Sequence, residues 1–299
     1  METNFGFIRN YTTSVLHSFM YICIKIVESN IILHCCNKVL KIIFMKKYKL
    51  INNIAGWTIF LIAAVVYLMT IEPTTSFWDC GEFITSAYKL EVGHPPGAPF
   101  FMITANVFTQ LTSDPGKVAM LVNAMSAILS ALTILFLFWT ITHLTRKLVL
   151  KTNQQFLTLG QIVVVIGSGL VGALAYTFSD TFWFSAVEAE VYAYSSMFTA
   201  LVFWLILKWE DNAHKAHSDK WIVLIAYMMG LSIGVHLLNL LCIPAIVLIY
   251  YYKKKENVNW KGTALALLFS FGLIVILMYG IIPGFTKVGG WIELLAVNT

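Results

Sequence analysis

The sequence predicts an all-α membrane protein, a polytopic helical bundle of about seven spans with a long first outer loop that contains short amphipathic helices. Three observations carry that prediction. First, 59% of the 299 residues are hydrophobic and only 12% are charged, about half the charged fraction of an ordinary soluble domain. Second, mean hydropathy is +0.77, and apolar runs near the bilayer-crossing length of about 20 residues recur along the chain. Third, the charges gather in short stretches between those runs. Lys and Arg outnumber Asp and Glu by 20 to 15, but they flank apolar runs instead of clustering on a solvated face, so nucleic acid is excluded as a partner. The five cysteines (Cys23, Cys35, Cys36, Cys80, Cys242) have neither zinc-ligand spacing nor a disulfide framework and read as small apolar fillers.

Spans are read at residues 54–71, 118–142, 156–178, 191–207 and 263–283. The remaining apolar run, 221–252, is too long for one crossing and short for two. Basic residues decide it by the positive-inside rule. Lys46, Lys47 and Lys49 precede the first span, Arg146, Lys147 and Lys151 follow the second, and Lys208–Lys220 and Lys253–Lys255 bracket the long run. Two inside loops need an even number of crossings between them. The run therefore splits into two short helices, 222–235 and 240–252, with a turn near Gly234–Asn239.

This topology puts the N-terminus in the cytoplasm and residues 72–117, 179–190 and 284–299 outside. Those outer stretches hold only Lys89, Lys117 and Lys287 as basic residues, against nine acids (Glu72, Asp79, Glu82, Glu91, Asp114, Asp180, Glu188, Glu190, Glu293). Because the basic residues alone set the topology, the gathering of acids on the opposite face is an independent result.

Residues 1–44 read as an atypical N-terminal arm in front of a membrane domain covering 45–299. Met45-Lys46-Lys47-Tyr48-Lys49 looks like a natural start, which would make the arm a mis-assigned one. The alternative is an interfacial helix over residues 15–33. At the other end the seventh span closes at Pro283, residues 291–296 read as the beginning of an unfinished element, and the membrane domain is expected to be incomplete at its C-terminus.

The first outer loop is long for a plain connector. Thr75 or Ser76 can cap a short helix that carries Asp79 and Glu82 at i and i+3 on one face, with Phe77, Trp78 and Phe83 nearby. His94-Pro95-Pro96-Gly97-Ala98-Pro99 reads as a rigid turn. Residues 100–111 are apolar but too short to span, so they are expected in the interface or packed on the bundle. Glu188, Glu190 and Tyr192 sit at the outer end of the fourth span, and His236 and Asn239 at the tight outer turn. Any one of the acids could simply cap a helix on a solvated loop. Ionisable groups at the edge of lipid are costly unless they face a cavity or a partner, and these come from three separate segments to one face. They read as a site.

Four motifs in order carry a resemblance: Trp78-Asp79-Cys80-Gly81-Glu82-Phe83, Gly93-His94-Pro95-Pro96-Gly97, Glu190-Val191-Tyr192-Ala193 and Gly234-Val235-His236-Leu237-Leu238-Asn239. Over residues 45–299 the chain resembles a bacterial multi-spanning family that is similar to the transmembrane protein O-mannosyltransferases and has the GT-C glycosyltransferase architecture. Members of that family are usually longer, so the resemblance makes this chain an N-terminal part. It implies transfer of a mannose-like sugar from a polyprenyl-phosphate carrier to a hydroxyl of an extracytoplasmic protein. The expected setting is the bacterial inner membrane, with a periplasmic active face. In such enzymes an acid of the first outer loop acts at the acceptor hydroxyl, and Asp79 holds that position. Glu82 is placed beside it as the second catalytic candidate. His94, Glu188, Glu190, Tyr192, His236 and Asn239 are expected to bind substrate. The outer face offers few cations for the leaving phosphate, so either a further part of the protein supplies one or a divalent metal bridges acid and phosphate, although no ligand spacing compels a metal. Two other classes stay open: a transporter or flippase, which would work without a lipid-linked donor, and a non-catalytic scaffold of an envelope complex.

Overall fold

The computed structural model describes Lys25, residues 47–150, Gln154 and residues 156–297. Apart from Lys25, the expected N-terminal arm lies outside the described residues. The described chain is helical: α1 (Lys47–Met69), α2 (Cys80–Lys89), α3 (Pro99–Thr109), α4 (Val118–Val149), α5 (Leu159–Thr177), α6 (Asp180–Ala186), α7 (Val191–Asn212), α8 (Asp219–Ile233), α9 (Ile243–Lys254), α10 (Trp260–Ile276) and α11 (Ile282–Val297). Six helical stretches among the described residues are long and apolar enough to cross a membrane. The seventh expected crossing is α8. With 15 residues it is only about 22 Å long.

The helices pack around α4 and α7. In these two, 61% and 56% of the apolar segment is buried inside the protein, against 11% for Trp260–Val297 at the edge. α4 is apolar all round, as a central helix must be. Its neighbours approach closely through small residues, the usual device for helix pairs in lipid. Ala63 and Ala64 of α1 lie in one cluster with Ala127 and Ala131 of α4. A Cβ on Gly169 of α5 would come within 2.5 Å of the Thr142 side chain and 2.7 Å of Phe138, so this glycine is a notch for α4.

The expected short pair is present as α8 and α9, joined through a tight turn and a 3₁₀ segment, Leu237–Cys242. Lys254 Nζ at the end of α9 donates to the Ala213 carbonyl at 3.3 Å, which returns the chain to the α7–α8 connection. The bundle thus has two chemically distinct ends. One, the acidic end, carries the α1–α4 connection, the α6–α7 junction and the α8–α9 turn. The other, the basic end, carries the Lys147–Glu210 ion pair and the contact between His143 Nδ1 and Asp211 Oδ2 at 3.8 Å.

Two sequence expectations need correction, and the outer stretch 179–190 contains a short helix, α6. Trp183 Nε1 of α6 donates to Thr70 Oγ1 at 2.9 Å. The seventh span does not stop at Pro283, and residues 284–297 do not form an outer loop. A π-helical turn, Leu277–Ile281, precedes the proline, and the helix runs on to Val297. Proline lacks the N–H of a regular α turn, and a widened turn before it lets the helix continue. The short helix of the first loop begins at Cys80 with Asp79 as N-cap, rather than at a Thr75 or Ser76 cap.

Helices α2 and α3 lie folded onto the acidic end. α2 buries Cys80, Phe83, Ile84 and Ala87, the i, i+3, i+4, i+7 stripe of an amphipathic helix. Phe83, Ile84 and Ala87 join Phe101 and Met102 of α3, Val122 and Met125 of α4 and Phe198 of α7 in one apolar cluster. Each large side chain buried there is worth roughly 1.5–3 kcal/mol. Phe83, expected beside the face that carries Asp79 and Glu82, belongs to this core. Asn123 of α4 fixes the start of the loop: its Nδ2 donates to the carbonyls of Glu72 at 2.6 Å and Thr74 at 3.0 Å. Asn123→Ala is expected to destabilise the protein by about 1–3 kcal/mol, since it leaves backbone acceptors without a donor. Hydrogen exchange should then quicken in residues 72–79 and stay unchanged at the basic end.

Candidate functional site

The exposed face of α2 meets the Gly93–Ala98 turn. Asp79 is the N-cap residue of α2, and its side chain makes no capping bond. The residue before it, Trp78, has φ +63°, a left-handed conformation that strains any residue with a Cβ. Phe77 and Trp78 are both almost fully exposed beside Asp79. One turn along, Glu82 accepts from the backbone N–H of His94 at 2.5 Å with Oε1, and its Oε2 lies 3.0 Å from His94 Nδ1. His94 Nε2 then stands 4.0 Å from Asp79 Oδ2. Glu82 thus clasps the turn and aims the imidazole at Asp79. Gly93 permits the clasp: a Cβ there would lie 3.2 Å from Glu82 Oε1 and 3.1 Å from Met102 Cε.

The clasp is electrostatic and open to solvent. The His94 backbone N–H, followed by its ring, holds the Glu82 carboxyl below its ordinary value, and the Glu82 hydrogen bond raises the His94 imidazole above its own. The stability that Glu82 contributes is fully present above pH 4.5 and is lost as pH falls through its depressed value. The stability that His94 contributes is fully present below pH 6.5 and is lost as pH rises through its raised value. Protection of the Gly93 and His94 amides from exchange is therefore expected to be greatest between pH 4.5 and 6.5 and to decline on both sides. His94→Gln should abolish the alkaline limb.

A second layer lies beneath. Glu188 and Glu190 are 6% and 7% exposed. Ser76 Oγ donates to Glu188 Oε2 at 2.7 Å, and Cys80 Sγ lies 3.7 Å from Glu190 Oε1. Burial, then the charge of Glu188, raises the Glu190 carboxyl. Burial, then both glutamates, pushes the Cys80 thiol up to about 12, so Cys80 is a proton donor to Glu190 rather than an inert filler or a nucleophile. Both acids hold the first loop to the α6–α7 junction, supported by the Glu72 N–H to Val187 carbonyl bond at 3.1 Å.

The third group sits at the α8–α9 turn. The rings of Tyr192 and His236 are 5.4 Å apart, and His236 Nδ1 accepts from the Leu238 N–H at 3.1 Å. Burial lowers the His236 imidazole. Asn239 is 2% exposed, and neither amide atom has a partner among the described residues. The turn docks on the first loop through backbone: Phe100 N–H donates to the Gly234 carbonyl at 2.7 Å. A Cβ on Gly234 would lie 2.9 Å from Phe100 Cβ, so only glycine allows this approach. Among the described residues no hydrogen bond, ion pair or ring contact links Tyr192, His236 or Asn239 to Asp79, Glu82 or His94.

The eight sequence candidates therefore fall into an exposed group (Asp79, Glu82, His94), a buried brace (Glu188, Glu190) and a separate turn (Tyr192, His236, Asn239). Sequence reasoning missed Ser76, Cys80 and Asn123. Only Cys80, inside the Trp78–Phe83 motif, carried a signal. Asp79, Glu82 and His94 each offer one ligand atom within 4.8 Å of the others, a spacing that fits a divalent cation, although both Glu82 oxygens already face His94.

Residues 79–259 match the family described as the protein O-mannosyl-transferase TMEM260 N-terminal domain. The chain is similar to protein O-mannosyl-transferase TMEM260 of Mus musculus, 29% identical over 220 residues that cover 72% of this chain and 28% of that protein. It is also similar to the protein of the same name from Dictyostelium discoideum, 26% identical over 188 residues covering 60% of this chain and 21% of the relative. The chain thus spans about a quarter of the length of these curated relatives. No solved structure matches it.

Proposed function

The chain belongs to the family of the protein O-mannosyl-transferase TMEM260 N-terminal domain, and from that premise we propose that it forms the acceptor-side part of a membrane glycosyltransferase. The enzyme moves a mannose-like sugar from a polyprenyl-phosphate carrier to a hydroxyl of a protein on the extracytoplasmic side, which is the acidic end. The observation that supports this reading best is the disposition of the Asp79 side chain: exposed, with no capping bond to α2, and faced by the His94 imidazole at 4.0 Å.

Asp79 acts as the general base. An acceptor hydroxyl within hydrogen-bond reach gives its proton to the Asp79 carboxylate while its oxygen forms the bond to the anomeric carbon. The bond from that carbon to the phosphate oxygen breaks, and polyprenyl phosphate leaves with the electron pair. The Glu82 hydrogen bond raises the His94 imidazole above its ordinary value, which favours positive charge beside the carboxylate and the departing phosphate. Glu82 is a positioning residue, since its oxygens are engaged by His94. Phe77 and Trp78 offer exposed aromatic faces to the acceptor or to the sugar ring. A divalent cation, if bound, would be held by Asp79, Glu82 and His94 and would draw charge from the phosphate.

The test supplies membranes containing the intact protein with labelled polyprenyl-phosphate mannose or with a labelled nucleotide sugar, together with a protein acceptor. Label is expected to reach the acceptor from the lipid-linked donor only. Transfer from the nucleotide sugar with no lipid intermediate would overturn the reading.

A further inference from the structure

The basic end holds a cavity that this chemistry does not use. It has a volume of about 780 Å³ and lies among α1, α4, α7 and the start of α8. Lys49, Arg146, Lys208 and Lys215 line it against a single carboxylate, Asp211. Among the described residues none of the four cations has a carboxylate within ion-pair distance, because the neighbouring Glu210 is taken by Lys147. Four like charges around one concavity repel one another and raise its affinity for anions.

The walls are aromatic. Trp139 stacks on Trp204 at 5.4 Å, Trp57 meets Trp139 edge-on at 6.1 Å, and Lys208 Nζ lies 5.0 Å from the Trp204 ring. His143 also lines the cavity, with its Nδ1 3.8 Å from Asp211 Oδ2. The cavity therefore offers an Arg fork and three ammonium groups, the equipment of a phosphate site.

We propose that this cavity binds the phosphate of an anionic membrane lipid. Its place at the end of the spanning helices favours a lipid over a free phosphate. Leu50, Ile51 and Ile54 of α1, beside the lining residues Lys49, Asn52 and Asn53, are exposed, which leaves apolar surface for acyl chains next to the charged pocket. Tryptophans at the level of the headgroups suit the same depth, and basic pockets between membrane helices are typical sites for anionic headgroups. The site stands apart from the acidic end, so it does not rest on the glycosyltransferase reading.

The intact protein is purified in neutral detergent and titrated with phosphatidylserine, phosphatidylcholine or inorganic phosphate, with binding read by native mass spectrometry. Saturable binding of phosphatidylserine in preference to phosphatidylcholine is expected. Arg146→Gln with Lys208→Gln should weaken it about thirtyfold, taking about 1 kcal/mol for each cation near a membrane surface. Lys253→Gln removes a charge of the same sign outside the cavity, with no carboxylate paired to it among the described residues, and should leave binding intact. Lys215→Gln, in the exposed α7–α8 connection, gives an independent reading if the double variant does not fold. Equal losses in Lys253→Gln and the cavity variants, or equal affinity for the two lipids, would overturn the proposal. Binding of inorganic phosphate with no preference between the lipids would overturn the lipid assignment.

Discussion

Asp79→Asn is expected to slow sugar transfer by the intact protein by about 10²–10⁴-fold, the range in which a positioned general base contributes, or roughly 3–5.5 kcal/mol of barrier. Asparagine keeps the size and polarity of the side chain but cannot take a proton. The Asp79 side chain makes no capping bond to α2, so the substitution should leave the fold and the thermal midpoint in place. KM for the donor should barely move, because the loss falls on the chemical step. Glu91→Gln and Asp114→Asn remove acids of the same loop that lie outside the Asp79 group, and they should retain activity within about twofold. If all three variants were equally slow, the loss would come from acidity of the face as a whole, and Asp79 would have no separate role.

The second large effect belongs to the clasp. Glu82→Ala frees the His94 backbone N–H and the imidazole together, so the ring no longer has a fixed position opposite Asp79. A fall in kcat of about 10–100-fold is expected, the order of loss seen when a residue that positions a catalytic group is removed. His94→Gln should cost a similar factor and should also remove the alkaline limb of the pH–rate profile. Because the two side chains act as one unit, the double variant should be little slower than either single one. Additive losses in that cycle would mean that Glu82 and His94 act independently. Glu82→Gln separates charge from geometry: it keeps a carbonyl for the His94 N–H but removes the charge that raises the imidazole, so its pH limb should shift to lower pH.

Hydropathy and lysine placement made most of the bundle legible. The uncharged runs mark the spans because lipid and protein interior select the same side chains, and the paired lysine loops around 221–252 required the α8–α9 hairpin. The same equivalence hid other features. The apolar window cannot tell a helix end at Pro283 from a π turn that lets the helix run to Val297, and the short α6 is lost among loop polarity. At the candidate site, residue type and spacing singled out Asp79, Glu82 and His94, which the structure places together, but not the contacts among them. That both Glu82 oxygens face His94 was not legible, nor that Glu188 and Glu190 take bonds from Ser76 and Cys80, more than 100 residues away in sequence. Asn123, set among the apolar residues of α4, gives no local sign that it holds the first loop.

The central claim is that the sugar and the acceptor meet at Asp79 on the acidic end. A structure of the intact protein with a non-hydrolysable polyprenyl-phosphate sugar analogue tests it most directly. The account predicts the sugar at the acidic end, its anomeric carbon close enough to Asp79 for one hydroxyl oxygen to sit between them, with that oxygen about 3 Å from the carboxylate. A sugar bound at the basic end, or one too far from Asp79 for a single hydroxyl to bridge, would contradict it.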